Sequence, residues 1–135
     1  MAALRQRIAA ASFLVSALVH VGCSDPNTLE SGQVVEVNLL DRFEFEATGL
    51  DNVTDTRSRL FTITGTQATV DVTAGITAGS ARLQLRDPAG AVVYSEFIED
   101  EVDGLTDVGG PGLWQVDVVL SKVTGEFSFT LERAP

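Results

Sequence analysis

The chain has 135 residues, with nine Lys and Arg against nineteen Asp and Glu, a net charge of −10 at neutral pH. That length holds one domain beside a targeting segment. The acidity, with no basic patch anywhere, excludes nucleic acid as a partner, because phosphate backbones are bound by clustered cations.

Residues 1–22 read as an export signal. Arg5 and Arg7 form a positive n-region, and residues 8–19 (IAAASFLVSALV) form an apolar run well short of the ~20 residues that span a bilayer. All nineteen acidic residues fall after this segment, so the chain from Cys23 onward carries seven basic and nineteen acidic groups, a net −12. Cys23 is the single cysteine, and His20 the single histidine. An exported free thiol invites oxidation or intermolecular disulfides, and lipidation would remove it.

The residues His20-Val21-Gly22-Cys23 resemble the lipobox of bacterial lipoproteins, Leu-(Ala/Ser)-(Gly/Ala)-Cys. Gly22 and Cys23 match, Val21 is a small apolar residue, and His20 stands where leucine is usual. The resemblance implies cleavage before Cys23, a lipid on its thiol and attachment to a membrane of the bacterial envelope. Ser24, in place of the aspartate that retains enterobacterial lipoproteins at the inner membrane, implies the outer membrane. An ordinary signal cut nearby and an uncleaved anchor are the alternatives.

Residues 23–32 (CSDPNTLESG) are turn-rich and read as a flexible tether. From residue 33 to 133 the pattern is period-two alternation in eight short runs, QVVEVNL, RFEFEA, RLFTIT, ATVDVTA, ARLQLR, AVVYSEFI, LWQVDVVL and EFSFTL. Turn residues break them at intervals of about ten, which predicts an all-β, antiparallel β-sandwich with no helical segment. Alternation assigns faces: Phe43 and Phe45 oppose Glu44 and Glu46, Val70 and Val72 oppose Asp71, Leu83 and Leu85 oppose Arg82, Gln84 and Arg86, and Phe127, Phe129 and Leu131 oppose Ser128 and Thr130. All six phenylalanines after the signal are expected inside, leaving Tyr94 as the exposed aromatic. Asp87-Pro88-Ala89-Gly90 reads as a tight turn, with φ preset at Pro88 and a positive φ open to Gly90.

The stretches LQLRDPAGAVVYSE, GGPGLWQVDVVL and TGEFSFTLE, between Phe61 and Glu132, resemble the small sandwiches of the bacterial pre-peptidase C-terminal (PPC) type and the related GOLD-like domains. This resemblance implies a β-sandwich serving as an accessory or adhesive module. It implies no activity.

No histidine follows the signal, and the lipobox resemblance implies that the Cys23 thiol is modified, so Ser-His-Asp, Cys-His and histidine-zinc chemistry are excluded and no enzyme is expected. Carboxylates are densest in residues 99–107 (EDEVDGLTD), read as a polar loop. Laid on an EF-hand, this run puts Gly110 where the bidentate glutamate belongs. A looser calcium site would use Asp100, Asp103 and Asp107, and a solvated acidic loop is the favoured reading. Residues 109–112 (GGPG) lack the Lys-Ser/Thr of a phosphate loop and read as a flexible turn. Trp114 shares a face with Val116, Val118 and Leu120 and is expected in the core, with a ligand platform of Tyr94 and Trp114 as the alternative.

The expectation is therefore a non-enzymatic, lipid-anchored module held to the membrane through Cys23, without a cofactor, that binds other envelope proteins. The rival is a carbohydrate-binding accessory protein, calcium-assisted, which requires Tyr94 and Trp114 to be exposed together.

Overall fold

The computed structural model describes residues 27–99 and 102–135. The signal, Cys23 and Asp100 lie outside them. A 3₁₀ turn at Ser31–Gln33 precedes six strands: β1 Val34–Leu39, β2 Arg42–Ile63, β3 Ala68–Arg86, β4 Val92–Phe97, β5 Val102–Leu105 and β6 Gly112–Arg133. All pairings between them are antiparallel, in the order β1-β2-β6-β3-β4, with β5 on the remaining stretch of β3.

Three of these strands are too long to run straight through a domain of this size. At about 3.3 Å per residue, the 22 residues of β2 and of β6 would each span roughly 70 Å. Each bends instead, and the bends coincide. The β2–β6 register slips between Ala47 and Asp55, and the β3–β6 register between Ile76 and Ser80. Two glycines show why the bend needs their residue type. Gly79 has φ 76° and a Cβ there would lie 2.1 Å from the Lys122 carbonyl oxygen; Gly125 has φ 127° and a Cβ there would lie 2.2 Å from that of Gly75.

Bending turns one continuous sheet into two facing layers. The first holds β1, residues 42–47 of β2, 127–133 of β6, 68–74 of β3, and β5. The second holds residues 55–63 of β2, 112–120 of β6, 80–86 of β3, and β4. The chain is thus an antiparallel β-sandwich, built from six strands rather than eight separate ones, because six of the alternating runs are the paired halves of β2, β3 and β6.

The alternation places the core as expected. Phe43, Phe45, Val70, Val72, Leu83, Leu85, Phe127, Phe129 and Leu131 are buried, and their neighbours in sequence point outward or stay half-buried. Phe45 stacks on Phe127 and Phe129, and Phe43 bridges the layers to Phe61 with centroids 6.0 Å apart. One phenylalanine departs from the expectation: Phe97 is 50% exposed, at the end of β4, with the Arg82 guanidinium 4.7 Å from its ring centre. Its register opposite outward-facing Arg82, rather than a core residue, is the reason.

Two seams close the sandwich. On one side Arg59 pairs with Glu36 at 2.8 Å and Asn38 donates to the Leu60 carbonyl, linking β1 to the second layer. On the other, Tyr94 of β4 lies against Gly104 of β5, where an added Cβ would meet the ring at 3.7 Å. The β5 strand corrects the reading of residues 99–107 as loop: Thr69, Val70, Asp71 and Val72 pair with Leu105, Gly104, Asp103 and Val102. A tertiary edge, not local propensity, makes it a strand.

Residues 27–32, expected within the flexible tether, are docked on the sandwich. Asn27 bridges to Val53 through Asn27 N–H to the Asn52 carbonyl and Thr54 N–H to the Asn27 carbonyl. Leu29 is buried in the core, its N–H donating to the Asp55 carboxylate and its carbonyl accepting from Arg57. A capping box between Glu30 and Gln33 finishes the docked segment.

Candidate functional site

The end of the sandwich opposite the bends gathers the β1–β2 hairpin, the β2–β3 turn, the β3–β4 turn and the β5–β6 loop. Their sequences are turn chemistry, but their order comes from three buried or half-buried side chains.

Asp87 opens the Asp-Pro-x-Gly turn, closed by Gly90 N–H to the Asp87 carbonyl at 2.9 Å with Gly90 at φ 85°. Its carboxylate accepts from Ala89 N–H, from Ala91 N–H and, across to the next loop, from Gly110 N–H at 3.0 Å. The Gly110 amide foremost, then that of Ala91, hold this carboxyl below the usual aspartate range. Gly110 in turn accepts the Trp114 indole N–H at 2.7 Å, and Gly109 N–H donates to the Thr66 carbonyl. Residues 109–112 are therefore a bonded corner and not the flexible turn expected.

Thr106 is the buried polar residue of this end. Its hydroxyl accepts from Ala68 N–H and donates to the Asp107 carbonyl, while Gln67 caps its own carbonyl. Asp41, at the hairpin tip with φ 62°, accepts from Thr64 N–H at 2.5 Å and from the Thr64 hydroxyl at 2.7 Å. Those bonds, the amide first, lower its pKa, with Arg133 adding a Coulombic share.

On this bonded frame stand exposed apolar side chains. Leu39 is 57% exposed, Leu40 65%, Leu105 55%, Val108 70% and Leu113 55%, and Leu60 and Val92 follow a few residues into the strands. Ten large hydrophobic residues are exposed among the described ones; the other three, Val35, Val119 and Phe97, lie toward the bends. Folding leaves single apolar residues exposed everywhere, and seven of these ten stand toward this end of the sandwich.

The expected site residues fall elsewhere. Trp114 is fully buried, edge-on to Phe61, because it continues the core face of β6. Tyr94 is half-buried at the seam, and burial, with Glu96 nearby, raises its phenol pKa. The two make no exposed platform, which corrects that reading. Asp103 sits on β5 directly opposite Asp71, and Asp107 follows the buried Thr106 in the loop, its N–H bonded to the Val93 carbonyl. Among the described residues no three His, Cys, Asp or Glu side chains are placed to hold a metal ion. The apolar loop end was not read from the sequence, since Leu40 and Val108 look there like ordinary loop residues. The Asp-Pro-x-Gly turn and the turn at residues 109–112 were its visible parts.

A groove of about 440 Å³ lies along the β3 bend, walled by Ala74, Gly75, Ser80, Phe97, Ile98 and Glu99.

No protein-family model matches the chain, and no curated protein matches it. Among solved structures, one titled "CBM4 structure and function" is similar over 75% of this chain and 78% of its own, at 10% identity and a TM-score of 0.42.

Proposed function

We propose that the chain is a lipid-anchored, non-enzymatic binding module of the bacterial envelope, and that its loop end docks a protein partner. The observation that carries this is the set of exposed apolar side chains, Leu40 and Val108 on loops and Leu39, Leu105 and Leu113 at the strand ends beside them, where Asp87, Thr106 and Asp41 bond the loops in place. Burying such residues removes apolar area from water, a gross gain of about 25 cal/mol per Å² before the costs of association are met, and loops that are already ordered lose little entropy on binding. The lipobox-like His20-Val21-Gly22-Cys23 supports attachment through Cys23 and an outer-membrane location, and the resemblance to PPC-type accessory sandwiches supports a non-catalytic role. The test is capture from cross-linked envelopes with the parent and with Leu40→Asp/Val108→Asp. Both positions are exposed, so the variant should melt like the parent and lose the captured protein; retention of the same partner would defeat the proposal.

A second reading, carbohydrate binding, is favoured by one observation, the exposed Phe97 ring on the groove at the β3 bend. Titration with envelope glycans should then show binding that Phe97→Ala abolishes and Leu40→Asp/Val108→Asp leaves intact.

A further inference from the structure

The point at which the chain joins the sandwich sets which end a lipid would hold to the membrane. Asn27 is bridged to the β2 bend at Val53, and Leu29 is buried two residues later, clamped by Asp55 and Arg57. The docked segment therefore begins at the bent end, not the loop end. Three residues, Ser24, Asp25 and Pro26, separate Cys23 from Asn27. At most about 3.6 Å per residue, they let Cys23 stand no farther than roughly 14 Å from Asn27.

The bends themselves have the composition such a position needs. Residues 48–54, 75–80 and 121–125 contain one acid, Asp51, and one base, Lys122, in a domain of strongly negative net charge. Their exposed side chains are otherwise small or hydroxylated: Thr48, Thr54, Thr77, Ala78, Ser80 and Ser121. Their backbones are tied to one another, with Asn52 N–H on the Thr124 hydroxyl, Lys122 N–H on that of Thr54, and the Thr77 hydroxyl on the Thr124 carbonyl. Glu30, Glu46, Glu99 and Glu126 stand just behind. A charge-balanced, hydroxyl-rich end meets lipid headgroups without the repulsion that the acidic strand faces would suffer from an anionic surface.

We infer that a lipid on Cys23 seats the bent end, residues 48–54, 75–80 and 121–125, against the lipid headgroups and points the apolar loop end away from the membrane. The inference rests on the reading of Cys23 as the lipidated residue. With strand halves of six to nine residues at ~3.3 Å each, the loop end then stands roughly 25 Å farther out, clear of the headgroups.

The chain from Cys23 onward, coupled through its one thiol to a maleimide lipid in nanodiscs doped with a gadolinium-chelating lipid, tests this by paramagnetic broadening of backbone amides. Amides of residues 51–54, 77–80 and 121–124 should broaden severalfold more than those of residues 87–90 and 106–110. A Gly-Ser linker of ten residues inserted between Pro26 and Asn27 should shrink that difference. Equal broadening at both ends, stronger broadening at the loop end, or no effect of the linker would overturn the inference. Chemical coupling makes this independent of cellular processing. Mass spectrometry showing unmodified Cys23 in the native protein would instead defeat the lipoprotein reading alone.

Discussion

Asp87 and Trp114 show how single side chains order the loop end from beneath. Asp87 spends its carboxylate on three amides, one of them in the β5–β6 loop, and Trp114 holds the carbonyl of the same Gly110. Removing the indole leaves a cavity in the core and an unpaired carbonyl, so Trp114→Ala should cost about 3–5 kcal/mol by chemical denaturation. Trp114→Phe keeps most of the volume and should cost less. The carboxylates add a pH dependence. Asp87 and Asp41 both have folded pKa values below their unfolded ones, so the unfolded chain takes up protons first as pH falls. Their contribution is full above the unfolded value of about 3.9 and is lost as pH drops through the lowered folded values. Thermal melts should therefore fall off below about pH 4, and Asp87→Asn should flatten that decline while lowering the melting temperature at neutral pH.

At the scale of elements, the eight alternating runs marked the layers because period two survives bending: each half-strand still sends one face inward. What the runs could not show is that β2, β3 and β6 continue through their corners. Gly49, Asn52 and Gly79, all at positive φ, stand between those runs, where they let a paired strand change layers without releasing its partner. The short β5 was hidden for a different reason, since an acidic stretch becomes a strand only when the edge of β3 is offered to it. Leu29 was taken for tether because its neighbours are polar, and only the fold reveals the slot between Asp55 and Arg57. The loop end was legible only as the Asp-Pro-x-Gly turn and the turn at residues 109–112, as exposure depends on which ends of the strands meet. A bend that depends on glycine has a measurable consequence. Gly79→Ala brings a methyl onto the Lys122 carbonyl and should destabilise by more than about 2 kcal/mol. Gly90→Ala, also at positive φ but with open space around it, should cost only about 1 kcal/mol.

Across the whole molecule, charge is unevenly spread. The outer face of the first layer carries Glu44, Glu46, Asp71, Asp103, Glu126 and Glu132, with Arg42 pairing to both Glu44 and Glu132. Asp71 and Asp103 stand directly opposite on neighbouring strands, an arrangement that costs stability. At 0.1 M, salt screens exposed charges more than about 10 Å apart, and near 1 M, where the screening length falls to about 3 Å, it reaches neighbouring carboxylates too. Raising sodium chloride should therefore increase the melting temperature, and Arg42→Gln should lower the starting value and steepen the rise.

The second layer carries Arg82, Arg86 and the exposed Phe97, so the two faces and the two ends of the sandwich differ in character. If the loop end is the contact surface, a photoreactive amino acid placed there in the living envelope should capture the partner. Incorporated at Leu40 or Val108, it should yield one discrete protein adduct on illumination, while the same residue at exposed Thr73 on the acidic face should yield none. Adducts absent from Leu40 and Val108 but formed at Thr73 or Phe97 would contradict it.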